Sequence, residues 1–195
     1  MPPKAKFTRE EIVQAAVALV RAKGMRGLTA RALGAELGSS PRPIFTAFQN
    51  MEEVVQAVLQ AAYRLYQEYL DREMSRGTYP LYKASGVGYI RFAREERELF
   101  QLLFMRDRSQ EVIPEDREEL RPLLAIIQEN VGIDEDSAYL FHLEMWIYVH
   151  GIAAMFATGY LDLDEAFISD VMTDAFEGLK ERWKRKYPTH REGQP

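Results

Sequence analysis

Arg42 is the only charged residue between Glu36 and Glu52, and it stands between two prolines in "GSSPRPIFTAF", residues 38–48. Its guanidinium is a flat, permanently charged fork of donors, suited to a phosphate or to the O6/N7 edge of a guanine. Hydroxyls at Thr29, Ser40 and Thr46 and positive charges at Lys4, Lys6 and Arg31 share residues 1–50 with it. Catalytic chemistry is poorly supplied. The chain has no cysteine, which removes thiolate nucleophiles, thiolate metal sites and disulfides. It has no G-x-S-x-G, no H-E-x-x-H and no phosphate-binding loop. His142 and Glu144 fall on different faces of a helix, and His142 and His150 lack a carboxylate partner. The Glu-x-x-His motifs of all-α metal carboxylate sites are absent. "SGVGYI" (85–90) has glycines but no preceding strand, so it reads as a helix-packing feature. No catalytic residue, metal or cofactor is expected, and the chain is not expected to be an enzyme.

The elements that must position these side chains read as helices throughout. Apolar residues recur at spacings of three and four, and strand-like alternation is missing. "TREE" places Thr8 as an N-cap with Glu11 three residues on, a capping box, and Gly24 ends the helix. Thr29 caps a second, short helix that Gly38 closes. "NMEE" (50–53) opens a long helix running to Gly77. Further helices are expected from Pro80, over 98–105, at about 115–130, from 135 to 160 and from 164 to 186.

Charge divides the chain. Residues 1–50 hold eight Lys/Arg against three acids, a net of +5, and the remainder carries 17 against 27, a net of −10. Such a split points to two parts with different partners. We expect a domain over 1–50, a larger one over 51–187, and a disordered tail over 188–195. The N-terminus has no apolar leader, and no stretch approaches the roughly 20 uninterrupted apolar residues of a membrane span. A soluble, cytoplasmic protein without a membrane partner is expected.

The prolines can sit inside a helix start. With Ser40 as N-cap, Pro41 is N1 and Pro43 is N3, where N–H groups have no intrahelical partner. A helix over 41–47 would then follow "GSS", with Ile44 and Phe48 facing inward. Two short helices joined this way form a helix-turn-helix, whose second helix enters the DNA major groove. Gly34 would be small where the backbones approach, and Gly38 would supply a positive φ.

The segment "FTREEIVQAAVALVRAKGMRGLTARALGAELGSSPRPIFTAFQNMEEVVQAVL" resembles the N-terminal DNA-binding domain of the TetR/AcrR family of bacterial transcriptional regulators. "GYIRFAREERELFQLLF" and "WIYVHG" look like one subgroup of that family's ligand-binding domains. The resemblance implies an all-α fold, an N-terminal three-helix helix-turn-helix domain followed by a larger helical ligand-binding and dimerisation domain. It implies a ligand-responsive repressor, its partners being a palindromic DNA operator, a second copy and an unidentified small-molecule effector. Lys4, Lys6, Thr29, Arg31, Ser40, Pro41, Arg42, Pro43, Phe45 and Thr46 are then expected at DNA. The chain departs from the family pattern at Phe45, Thr46, Ala47 and Met51, where Tyr, Tyr, His and Lys are common. Phosphate anchoring is accordingly expected at Thr29, Arg31, Thr46 and the N-terminal lysines, with Arg42 reading a base.

Phe92, Phe104, Trp146 and His150 are the candidates for contacting an effector. The last two helices, 135–160 and 164–186, are expected to make a twofold interface, with Val171, Met172, Ala175, Phe176, Leu179 and Trp183 as an apolar stripe on the second of them. The reading from another class is an all-α small-molecule-binding protein or enzyme whose first helices are only a packing module.

Overall fold

In the computed structural model, residues 6–107 and 117–186 are described. Eight α-helices follow in order: α1 Arg9–Lys23, α2 Ala30–Glu36, α3 Met51–Arg76, α4 Leu81–Glu95, α5 Arg97–Phe104, α6 Arg117–Val131, α7 Glu135–Ala157 and α8 Glu165–Lys186. Short 3-10 turns occupy Met25–Gly27 and Ile44–Thr46, and there is no strand among the described residues. Lys4 and the tail 188–195 lie outside them.

Local signals start and stop these helices as expected. Glu11 N–H donates to Thr8 Oγ1 at 3.1 Å while Thr8 N–H donates to Glu11 Oε2 at 2.7 Å, closing the capping box. Thr29 accepts from Ala32 N–H, Asn50 from Glu53 N–H and Asp134 from Ser137 N–H. These bonds satisfy donors that a helix start leaves without a partner.

The chain forms two compact units. The first comprises Met1–Tyr69 and Phe92–Asp107, so it extends beyond residue 50, where the charge changes sign. Its reach has a packing cause: Arg21 on α1 makes a two-pronged bond to Glu96, at 2.7 and 2.6 Å. Ile12, Ala16, Leu19 and Val20 of α1 are buried, as are Leu33, Ile44, Phe48, Val54 and Val58. Phe92 and Phe100 are fully buried among Tyr66, Tyr69 and Phe104.

The second unit comprises Leu70–Arg91 and Arg108–Pro195. Its core joins Leu124, Ile127 and Val131 of α6, Ala138, Phe141 and Met145 of α7, and Trp183 of α8. By length and composition alone α7 could cross a membrane, at a mean hydropathy of 1.3 over 18 residues, although His142, Glu144 and His150 interrupt its apolar run. Burial of Ala138, Phe141 and Met145 against α6 and α8 makes it a core helix of this unit.

Candidate nucleic-acid interface

The "SSPRPIF" segment folds as a 3-10 turn, in place of the expected helix over 41–47. Ile44, Thr46 and Ala47 N–H groups each reach three residues back, to Pro41, Pro43 and Ile44 carbonyls at 3.1, 3.2 and 3.1 Å. Pro41 and Pro43 have no N–H, and Arg42, preceding a proline, is pushed from the α region. The missing N–H groups would cost an α-helix starting at Pro41 nothing, since its first bond would come from Ile44; the obstacle is Arg42. The first bond of α type is Phe48 N–H to Ile44 O, at 3.1 Å. Ser40 accordingly caps nothing, because the N3 residue it would serve is Pro43.

The turn rests on α2. A Cβ on Gly34 would meet Pro41 N at 2.9 Å, Ser40 C at 2.9 Å and Ser39 O at 3.1 Å. Gly38 has φ +61°, and Ser39 N–H donates to Gly34 O at 2.8 Å. Ile44 and Phe48 face the core of the first unit. Arg9, which the sequence reading did not single out, ties three elements together. It donates to Ala47 O at 2.9 Å and to Glu53 Oε1 at 2.8 Å, and its guanidinium lies 4.0 Å from the Phe48 ring centroid. Bonds from Gln49 N–H and Arg9 lower the Glu53 carboxyl below its usual range. An arginine three residues before the apolar stripe of α1 gives no sequence signal for this role.

Of the expected DNA contacts, Lys6, Thr29, Arg31, Ser40, Arg42, Phe45 and Thr46 are exposed, and Pro41 and Pro43 are half-buried. Lys6 Nζ donates to Ser39 Oγ at 3.1 Å, which brings the N-terminal arm to the turn. Arg31 and Arg42 make no hydrogen bond or ion pair among the described residues. Thr46 departs from expectation as a phosphate donor: its hydroxyl already donates to Pro43 O at 2.6 Å. The 3-10 turn brings that carbonyl within reach.

The effector candidates fall into two aromatic groups. Phe92 and Phe104 belong to the cluster of the first unit, where Phe92 is inaccessible. Trp146 and His150 lie on α7 in the second unit, with ring centroids 4.9 Å apart and planes at 23°. Tyr89 OH pairs with His150 Nδ1 at 2.8 Å, and Tyr82 OH with His142 Nδ1 at 3.1 Å, so two Tyr–His pairs join α4 to α7. Burial lowers both histidines from 6.5, favouring neutral rings at pH 7. The same desolvation raises the Tyr82 phenol. Trp146 is 40% exposed, so the pair opens to solvent.

Burial divides the expected interface stripe on α8. Met172 and Trp183 are each 3% exposed within the subunit, and Ala175, Phe176 and Leu179 pack on the same core; Val171 is half-buried. Trp183 joins the core of α6 and α7, Ala175, Phe176 and Leu179 pack against it in part, and Met172 lies over Gly86 of α4. Exposed apolar side chains sit elsewhere: Leu140, Trp146, Ile147 and Tyr148 on α7, then Tyr160, Leu161 and Phe167.

Two polar clusters of the second unit also escaped the sequence reading. Glu73, 3% exposed, accepts from Arg76 and Arg91 at 2.7 Å each, and Arg91 reaches Glu165 at 2.9 Å. Lys83 Nζ donates to Ser169 Oγ at 2.7 Å and Thr173 Oγ1 at 2.8 Å. No group of three or more His, Asp or Glu among the described residues could hold a metal ion.

Residues 12–58 match the family of bacterial regulatory proteins of the tetR type, and residues 82–177 match a tetracyclin repressor-like C-terminal domain. Among curated proteins, no sequence matches the chain. A TetR family protein from Vibrio parahaemolyticus shares the fold with a TM-score of 0.59 at 17% identity, over 89% of this chain and 97% of that one. A TetR-like transcriptional regulator from Rhodococcus sp. RHA1 gives a TM-score of 0.62 at 16% identity, over 91% and 96%.

Proposed function

The chain belongs to the TetR family of bacterial regulatory proteins and is a ligand-responsive DNA-binding regulator; from that premise we propose that it is a homodimeric, cytoplasmic repressor without enzymatic activity. In this reading Arg42 and the turn around it meet a palindromic operator. The observation that carries it is the unpartnered, exposed guanidinium of Arg42 on a turn braced by Gly34 and Arg9. Arg31, Lys6 and Thr29 would anchor phosphates, Thr29 through its remaining hydroxyl proton.

The twofold interface, in our reading, uses the outward face of α7. That helix is apolar over most of its circumference, with Glu144 on the exposed face paired to Arg182 at 3.6 Å, which suits an element covered on both sides. Ile147 is 66% and Leu140 50% exposed in one subunit, seven residues apart on one face, and Gly151 continues it. Two such heads would bind two half-sites. An effector releases the operator only through its different affinity for the binding and non-binding states. The Trp146–His150 stack, backed by Tyr89, would present a flat face and a polar edge to that molecule.

Titration of purified full-length protein into random-sequence duplex DNA across a salt series tests the reading. Affinity should fall steeply and linearly in log–log form as salt rises. Salt-independent or absent binding would leave the first unit a packing module only.

A further inference from the structure

We propose that Phe45 is a specificity-determining residue that reads the C5-methyl group of a thymine in the operator met by Arg42. The inference rests on the DNA-binding reading above and names what that surface selects.

Three observations carry it. The turn closes with bonds from the Ile44, Thr46 and Ala47 N–H groups to carbonyls three residues back, which buries Ile44 and leaves Arg42, Phe45 and Thr46 exposed. Arg42 and Phe45 are therefore both presented on the exposed side of the turn. Second, Phe45 is 45% exposed and makes no ring contact among the described residues, while the neighbouring Ile44 and Phe48 fill the core. Its ring is thus not needed by the fold. Third, the turn has almost no other reading chemistry. Pro41 and Pro43 carry no N–H, and the Thr46 hydroxyl is donated to Pro43 O. A phenyl ring has no hydrogen bond to give to a base edge, so it can discriminate only through an apolar group. In the major groove that group is the thymine methyl, beside the O6/N7 pair of guanine that suits arginine.

The test begins with full-length protein and a randomised duplex library, from which the tightest-binding duplex is selected. Each thymine of that duplex is then replaced singly by deoxyuridine, which removes one methyl and changes nothing else. One thymine per half-site should be sensitive, with affinity falling about fourfold for one methyl and about fifteenfold when both half-sites are changed. Replacing that uracil by 5-bromouracil, whose bromine fills the methyl's volume, should restore binding. Phe45→Ala should bind the thymine and uracil duplexes equally while keeping the salt dependence, and Phe45→Leu should retain part of the discrimination.

Wild-type indifference to every thymine-to-uracil change, with salt-dependent binding intact, would overturn this inference alone. The same would follow if Phe45→Ala kept the full discrimination, since another side chain would then hold the methyl. Failure to enrich any duplex would overturn the DNA-binding reading as well.

Discussion

Gly34 and Pro41 meet backbone to backbone, leaving no room for a Cβ: one built on Gly34 would stand 2.9 Å from Pro41 N. The obstacle is main chain, not the end of a flexible side chain, so neither element can yield without shifting the turn. Gly34→Ala should therefore destabilise the protein by about 1–3 kcal/mol, the usual range for overpacking. Thermal unfolding, with Gly38→Ala as a second turn variant, checks it. Sequence-selective DNA binding should fall further than stability alone requires, because the turn that carries Arg42 moves.

Arg42→Ala should cost about 1–3 kcal/mol in binding to the selected duplex and relax preference at one base position per half-site. Arg31→Ala should weaken binding to all sequences alike and reduce the salt slope by about one. Anisotropy titrations on matched and scrambled duplexes separate the two. Equal losses on both duplexes for Arg42→Ala would assign it to a phosphate.

Glu73 lies among Arg76 and Arg91 and is 3% exposed. Removing it takes the buried carboxylate from the largely buried Arg91 guanidinium, leaving only the exposed Glu165 at 2.9 Å among the described residues, and breaking a buried pair from one side is costly. Glu73→Ala should lower stability by about 3 kcal/mol. Arg76→Ala, whose side chain is 46% exposed, should cost under about 1 kcal/mol. Denaturant midpoints of the two variants give the comparison.

Burial lowers His142 and His150 below their ordinary 6.5. As pH falls through that value the unfolded chain takes up protons first, so stability is complete above 6.5 and declines toward the lower folded values. The melting temperature should drop between pH 7 and about pH 5. His142→Gln should flatten part of that decline, and an unchanged pH profile in that variant would remove His142 as its source.

Ile147, 66% exposed on α7, should be a contact of the twofold interface. Ile147→Glu should convert the dimer to a folded monomer at micromolar concentration, seen by sedimentation with an unchanged helical CD spectrum. Val171→Glu, on the side of α8 nearer the subunit core, should perturb folding more than assembly.

The sequence by itself determined what is governed within one helical turn. Thr8, Thr29, Asn50 and Asp134 are legible as caps because a short polar side chain need only reach a backbone N–H two or three residues on. Gly34 and Gly38 are legible because close approach and positive φ exclude most other residues. Family membership was legible for the same reason: its signature is a run of such local requirements.

Tertiary structure decided which face of each helix meets which neighbour. Met172 and Trp183 read as surplus surface on α8, yet Met172 lies over Gly86 of α4 and Trp183 joins the core of α6 and α7; Leu140 and Ile147 of α7 are left exposed. Phe92, Phe104, Trp146 and His150 look alike as aromatic candidates, but they divide between two compact units. Even the prolines were only half legible. Their missing N–H groups are written in the sequence, but a helix start tolerates them as well as a 3-10 turn does. The chain path over Gly34 and the Phe48 anchor under Arg9 belong to the tertiary structure, because a register set by contacts 7 and 39 residues apart leaves no local pattern.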